Sequence, residues 1–135
     1  MSSVIYGPVS SWRLGKSLGI DLLSTKGKTC CFDCVYCQLG RTLHLLTERR
    51  QFVPGERLAE ELESVKGLDI DYVTFSGMGE PALASNLGEA IELVKNIKWE
   101  VKLGKAAYSF LPINTACRKD YLFYILAWPL SNLRS

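Results

Sequence analysis

The stretch that reads CCFDCVYC over residues 30–37 places Cys30, Cys34 and Cys37 in the spacing C-x-x-x-C-x-x-C. Cysteine thiolates hold cubane iron–sulfur clusters, and four of them complete the ordinary ligand set. Three thiolates leave one iron without a protein ligand, much as a catalytic metal site keeps one coordination position open. The basic residues that flank the loop would favour thiolates and an anionic cluster; they are Lys26, Lys28 and Arg41. The spacing therefore favours an iron–sulfur site that can bind a small molecule.

A zinc site is the alternative interpretation of these cysteines, with His44 or Cys117 as the fourth ligand. Cys31 is a poor fourth ligand because adjacent residues in a short loop seldom turn toward the same small ion. Zinc sites that use cysteine commonly contain two C-x-x-C pairs, whereas this loop contains one. The spacing favours iron–sulfur and leaves zinc open.

A glycine-rich turn, Gly-Met-Gly-Glu-Pro at residues 77–81, follows a predicted strand directly. Glycine lets backbone groups approach a ligand closely. Pro81 favours an extended conformation for Glu80, whose carboxylate could then meet an ammonium group. Taken alone, the motif is more simply explained as an ordinary strand-to-helix turn.

Composition and charge limit the number of domains, the class of partner and the cellular compartment that we expect. A chain of 135 residues with 47% hydrophobic residues supports one domain with a modest core. The formal charge of +2 is too small to indicate nucleic-acid binding by electrostatics alone. No secretory signal is visible at the N-terminus, and the longest apolar run, residues 121–130, is about half of what spans a bilayer. Five cysteines, four of them within eight residues, fit metal ligation in a reducing compartment. We therefore expect a soluble, cytoplasmic protein with no membrane partner.

Hydrophobic periodicity predicts strands and helices in alternation up to residue 98. The predicted strands are residues 18–23, 70–75 and, beyond the second helix, 99–103; the predicted helices are residues 54–67 and 86–97. Gly7 and Pro8 give a turn signal ahead of the first strand. The order predicts a parallel sheet, with both motifs at the carboxyl ends of adjacent strands, where α/β barrels place their active sites.

Together, the cysteine run and the glycine-rich turn resemble the radical S-adenosylmethionine (radical SAM) superfamily. Three further blocks make the resemblance more specific: YGPV at residues 6–9, RLGKSLGID at residues 13–21 and QLGRT at residues 38–42. With these blocks the chain resembles a group of bacterial and archaeal Fe-S oxidoreductases related to the wyosine-synthesis (tRNA-modifying) radical SAM enzymes. The resemblance covers about residues 5–97.

This resemblance implies an α/β fold that forms the N-terminal part of a radical SAM partial (β/α)6 TIM-like barrel. It implies a [4Fe-4S] cluster on Cys30, Cys34 and Cys37 with S-adenosyl-L-methionine (SAM) on the open iron, Tyr36 beside the adenine, and Gly77, Gly79 and Glu80 at the turn that holds the methionyl ammonium. One-electron reduction would cleave SAM and give a 5′-deoxyadenosyl radical for hydrogen abstraction from an unknown substrate. An electron donor such as flavodoxin or ferredoxin, and a tRNA as candidate substrate, follow from the same resemblance.

Two features depart from the pattern. Ser10 and Trp12 stand where the resemblance predicts Pro and Arg, and the family's barrel needs about twice this length. Because the sequence changes character after Lys98, residues 1–98 are interpreted as the N-terminal portion of a radical SAM domain and residues 99–135 as a divergent tail that an out-of-frame reading would explain. We therefore expect a radical SAM enzyme by resemblance that is incomplete in this chain. A small zinc-binding module and an inactive truncated remnant are the alternatives.

Overall fold

Six strands and two α-helices are present in the parts of the chain that the computed structural model describes, residues 3–12, 15–97 and 107–110. In chain order they are β1 (Ile5–Ser11), β2 (Gly15–Ile20), β3 (Thr29–Cys30), β4 (His44–Leu45), α1 (Gly55–Val65), β5 (Tyr72–Phe75), α2 (Leu87–Asn96) and β6 (Ala107–Phe110). A short 3-10 helix, Pro81–Leu83, precedes α2. None of the helices in these ranges is both long and apolar enough to cross a bilayer.

The main sheet has four strands in the order β1-β2-β5-β6. β2, β5 and β6 are parallel, as predicted for strands that alternate with helices. β1 runs antiparallel to β2, and its register shifts between Tyr6 and Val9. This strand was not predicted, because Gly7 and Pro8 read as a turn. Gly7 takes a positive φ of 98°, which lets the chain pass through this point and continue as a strand.

The two helices and the sheet share one hydrophobic core. Leu58 and Leu62 of α1 and Val94 of α2 are fully buried, which confirms the helix faces predicted from the period of the apolar residues. Leu18 and Val73 pair across β2 and β5 and are buried as well. Each buried side chain of this size contributes about 1.5–3 kcal/mol relative to an exposed one.

The predicted elements agree with the structure in most places. Both helices and the strand at residues 70–75 are present with slightly shorter bounds. The first predicted strand ends earlier than expected, at Ile20, and the chain turns there. The strand predicted at residues 99–103 lies outside the described residues. Because the described ranges form an open four-stranded sheet, the partial (β/α)6 barrel stays a prediction, as does the division at residue 98.

A carboxylate on α1 fixes the start of β1. The Oε2 atom of Glu61 accepts hydrogen bonds from the backbone N–H groups of Val4 at 2.9 Å and Ile5 at 3.0 Å, and from the Ser3 hydroxyl at 2.8 Å. Burial alone would raise the pKa of this carboxyl, but these hydrogen bonds and the nearby Arg57 guanidinium hold it below its usual value. The ionised form of Glu61 therefore stabilises the folded chain.

Candidate functional site

The two motifs that the sequence singles out are joined directly by backbone pairing. Thr29, which precedes Cys30, forms a parallel β-bridge with Gly79. The Thr29 N–H donates to the Met78 carbonyl oxygen at 2.8 Å, and the Glu80 N–H donates to the Thr29 carbonyl oxygen at 3.3 Å. A Cβ atom at position 79 would overlap that Thr29 oxygen, so only glycine permits this approach. The cysteine loop and the glycine-rich turn therefore meet at one edge of the fold.

The three cysteines of the motif lie on one short loop, and all three are free thiols. Cys30 ends β3 and is buried, and its carbonyl oxygen accepts the Leu46 N–H at 3.0 Å. Cys34 and Cys37 are half-buried on a turn in which the Cys37 N–H donates to the Cys34 carbonyl oxygen at 3.1 Å. Cys31 is disulfide-bonded and is not one of the three.

The buried Lys28 ammonium group hydrogen-bonds to the cysteine loop. The Lys28 side chain is only 3% exposed; its ammonium donates to the Gly40 carbonyl oxygen at 3.0 Å and lies 4.0 Å from the Asp33 carboxylate. The Thr42 N–H donates to Asp33 at 2.7 Å, and this bond, with the charges of Lys28 and Arg41, holds the pKa of Asp33 below its usual value. The loop is thus closed at its base by Lys28 and Asp33, while the effect of the flanking basic residues on the thiolates stays a prediction.

A cavity of about 630 Å³ lies where the two motifs meet. Tyr36 and Cys37 border it from the cysteine loop, and Gly77 and Gly79 border it from the glycine-rich turn. Its volume is in the range that drug-sized ligands and cofactors occupy, about 300–1,000 Å³. Four of the residues that the sequence predicts as ligand contacts or metal ligands therefore line one cavity.

Tyr36 is an exposed aromatic wall of this cavity. Its side chain is 73% exposed. The neighbouring Cys34 side chain raises the pKa of Tyr36 above its usual value. The ring is therefore available to pack against a planar group.

Glu80 has the predicted backbone conformation but a different side-chain environment. Its φ of −84° and ψ of 110° are extended, as Pro81 requires. The carboxylate is fully buried, and its Oε1 atom accepts the Ala82 N–H at 3.2 Å, which caps the 3-10 helix. Glu80 is not among the residues that line the cavity. Its contact with an ammonium group stays a prediction.

Three polar residues that sequence reasoning missed border the same cavity: Tyr6, Asp21 and Ser76. The Asp21 carboxylate accepts the N–H groups of Leu23 and Ser24 at 3.1 Å and that of Met78 at 3.3 Å. A Cβ atom on Gly77 would overlap this carboxylate. One sequence signal could have indicated Asp21, because it directly follows β2, at the strand end where α/β sheets bind ligands.

The remaining candidates lie outside the cavity lining. His44 is exposed, and its Nε2 atom lies 3.1 Å from the Lys26 carbonyl oxygen. Arg49 donates to the carbonyl oxygens of Ala82 and Ala84, both at 2.8 Å, and so holds the segment after the glycine-rich turn. Cys117, the other candidate zinc ligand, lies outside the described residues.

The described residues do not form a site for a single metal ion. Across residues 3–12, 15–97 and 107–110, no three His, Cys, Asp or Glu side chains converge closely enough to hold a single ion. A cubane cluster bonds each thiolate to a different iron, so its ligands need not converge on one centre. Three free thiols on one loop, a buried ammonium beneath it and an adjoining cavity are compatible with such a cluster.

The chain is similar in sequence to several curated proteins. The UPF0026 protein slr1464 of Synechocystis sp. is 46% identical over 99 residues, which cover 73% of this chain and 37% of that protein. The UPF0026 protein MJ1312 of Methanocaldococcus jannaschii is 44% identical over 98 residues, which cover 70% of this chain and 30% of that protein. The GTPase Obg of Brachyspira hyodysenteriae is 40% identical over 95 residues, which cover 69% of this chain and 14% of that protein.

No family model matches the chain, and no solved structure matches it. The similarity therefore rests on individual relatives, and this chain spans 37% and 30% of the lengths of the two UPF0026 proteins.

Proposed function

We propose that this chain carries the cofactor-binding portion of a radical SAM protein. In this proposal Cys30, Cys34 and Cys37 hold a [4Fe-4S] cluster, and the adjoining cavity binds SAM. The partial barrel, the electron donor such as flavodoxin or ferredoxin and a tRNA substrate belong to the same proposal. They concern the whole protein, and this chain spans 37% and 30% of the lengths of the two UPF0026 proteins.

One observation carries the proposal: the Thr29–Gly79 bridge joins two motifs that are about fifty residues apart in the sequence. A plain strand-to-helix turn has no need to contact a cysteine-rich loop. Here the turn pairs with the residue before Cys30, and both motifs border one cavity of about 630 Å³. The shared cavity favours a joint role in binding over two unrelated structural features.

The chain's own residues would act by holding and orienting the two groups. The thiolates supply three ligands, and the Lys28 ammonium offsets part of the negative charge that they bring into the loop. The ring of Tyr36 offers a surface for a planar base. Gly77 and Gly79 would border the ligand with backbone, because the side chains they lack let Asp21 and Thr29 approach from the other side. When bound and reduced, the cluster would supply the electron that cleaves SAM.

The test is anaerobic reconstitution of the full chain with iron and sulfide under a thiol reductant, followed by iron and acid-labile sulfide analysis. Reduction with dithionite and electron paramagnetic resonance, with and without SAM, then reports on the site. We expect about four irons per chain and a cubane signal that SAM changes. Cys37→Ala should lose the cluster, whereas Val35→Ala, the control at an exposed residue of the same loop, should keep it.

Other outcomes would identify the alternatives. About one zinc per chain with no sulfide would indicate a zinc-binding module. A chain that takes up neither metal would be an inactive remnant. A cluster whose signal SAM leaves unchanged would contradict the proposed role of the cavity.

A further inference from the structure

Lys28 is a charged side chain that lies buried at the base of the cysteine loop. Its ammonium donates to the Gly40 carbonyl oxygen at 3.0 Å and lies 4.0 Å from the carboxylate of Asp33, a side chain that is 49% exposed. Burying a charge costs free energy unless the charge is closely paired. Because the contact with Asp33 is long and half open to water, it compensates only part of the Lys28 charge.

Closing the loop does not by itself require a charge at position 28. A neutral donor, such as a glutamine amide, could bond the Gly40 carbonyl oxygen without the cost of burying a charge. Neutral groups already close the same loop, because the N–H groups of Leu43 and His44 donate to the Lys28 carbonyl oxygen, both at 3.0 Å. The buried charge of Lys28 therefore indicates a role beyond loop closure.

The Lys28 ammonium lies close to the backbone that carries the motif cysteines. The Gly40 N–H donates to the Cys37 carbonyl oxygen at 3.1 Å, so the cation is bonded to the turn that contains Cys37. Asp33 directly precedes Cys34, so covalent geometry keeps the ammonium within about 12 Å of the Cys34 Cα atom. At about 10 Å and an effective dielectric constant of about 20, a unit charge changes an equilibrium constant by about tenfold.

We infer that the buried charge of Lys28 raises the reduction potential of the [4Fe-4S] cluster that the three motif cysteines hold. The inference rests on the proposed function, in which one electron passes to the cluster from a donor protein such as flavodoxin or ferredoxin. No bond forms or breaks at Lys28; its fixed positive charge lowers the free energy of the state that holds the additional electron. Net charge is one of the properties that determine the potential of an iron–sulfur cluster. Lys26 and Arg41 are exposed, and water and salt screen their charges more strongly.

The test is a potentiometric titration of the reconstituted full chain under anaerobic conditions, in which electron paramagnetic resonance follows the reduced cluster. Lys28→Met keeps a side chain of similar length and removes the charge. The reduction equilibrium should then become about tenfold less favourable, which is a shift of about 59 mV to lower potential. Lys28→Arg keeps the charge and should stay close to the unaltered chain.

Asp33→Asn is the second variant, because it removes a negative charge from the same loop and keeps an acceptor oxygen for the Thr42 N–H. The potential should rise, by about threefold in the equilibrium constant, since Asp33 is half exposed and partly screened. The opposite signs separate charge from loop closure. A purely structural role would loosen the loop in Lys28→Met and in Asp33→Asn and would move both potentials in the same direction.

Lys66→Met is the matched control, because Lys66 follows α1 and precedes β5, whereas the glycine-rich turn follows β5. It should leave the potential unchanged, and thermal unfolding of each variant checks that the fold is kept. Equal potentials for Lys28→Met and the unaltered chain, or shifts of one sign in Lys28→Met and Asp33→Asn, would overturn the role of Lys28 while the proposed function stands. If Lys28→Met takes up no cluster, an unchanged or lowered potential in Asp33→Asn would overturn that role. An unaltered chain that takes up no cluster would overturn both proposals.

Discussion

Thr29 and Gly79 are held together by two backbone hydrogen bonds, one on each side of the Gly79 residue. Thr29 uses its N–H toward Met78 and its carbonyl oxygen toward Glu80, so the strand that carries Cys30 is bonded directly to the glycine-rich turn without any intervening side chain.

The first prediction concerns Gly79. Gly79→Ala places a methyl group on the Thr29 carbonyl oxygen, and backbone cannot yield as a flexible side chain can. We expect a loss of about 2–4 kcal/mol in the free energy of unfolding, measured by urea denaturation. Gly88→Ala is the control, because that glycine lies in α2 with nothing within 4 Å of its added Cβ. It should stabilise the chain by about 0.4–1 kcal/mol. Equal effects of the two substitutions would contradict the close approach of Gly79 to Thr29.

The second prediction concerns pH. The folded-state pKa of Glu61 lies below its ordinary value of 4.5, so this carboxylate stabilises the fold fully above pH 4.5 and loses that contribution as the pH falls through its folded pKa. The difference in unfolding free energy between the unaltered chain and Glu61→Gln should therefore be constant near neutral pH and shrink below pH 4.5.

Urea denaturation at a series of pH values measures this difference. Glu60→Gln is the control, since Glu60 lies next in the sequence and is exposed. It should leave the profile close to that of the unaltered chain. A Glu61→Gln difference that widens in acid would have the wrong sign for the hydrogen bonds to Ser3, Val4 and Ile5.

The third prediction concerns Arg49. Its guanidinium bonds two carbonyl oxygens beyond the glycine-rich turn, so Arg49→Ala should cost about 1.5–3 kcal/mol of unfolding free energy. The exposed Arg41 is the matched control, and Arg41→Ala should change stability by no more than about 0.5 kcal/mol. If Arg49→Ala were neutral for stability and weakened RNA binding instead, Arg49 would belong to a nucleic-acid surface and not to the turn.

The fourth prediction concerns the base of the cysteine loop. Asp33→Ala removes the acceptor of the Thr42 N–H, so hydrogen exchange at that amide should accelerate about tenfold. Asp33→Asn keeps an acceptor oxygen and should give a smaller acceleration. The exposed Glu48 supplies a control, because Glu48→Ala should leave Thr42 unaffected. Uniform acceleration throughout the chain would mean global destabilisation and would contradict a local role for Asp33.

The local period of the apolar residues was sufficient to predict the helices, but it did not predict contacts between residues far apart in the sequence. The apolar period of α1 and α2 reflects one buried face each, which a sequence displays directly. Asp21 and Met78 are 57 residues apart, and Tyr6 and Ser76 are 70 apart, so neither pairing follows from any local period. The position of Gly79 was predicted for its freedom of approach, but the partner it approaches, Thr29, emerges only from the folded chain.

β1 makes one edge of the main sheet unfavourable for the addition of a further strand. Its outer edge contains Pro8, which has no N–H to donate, and its register shifts between Tyr6 and Val9; proline and irregular pairing both discourage a further strand. Among the strands that the structure describes, the opposite edge belongs to β6, which is parallel to its neighbour. A strand added to the described sheet, whether from the same polypeptide or from another, would therefore find the better template beside β6.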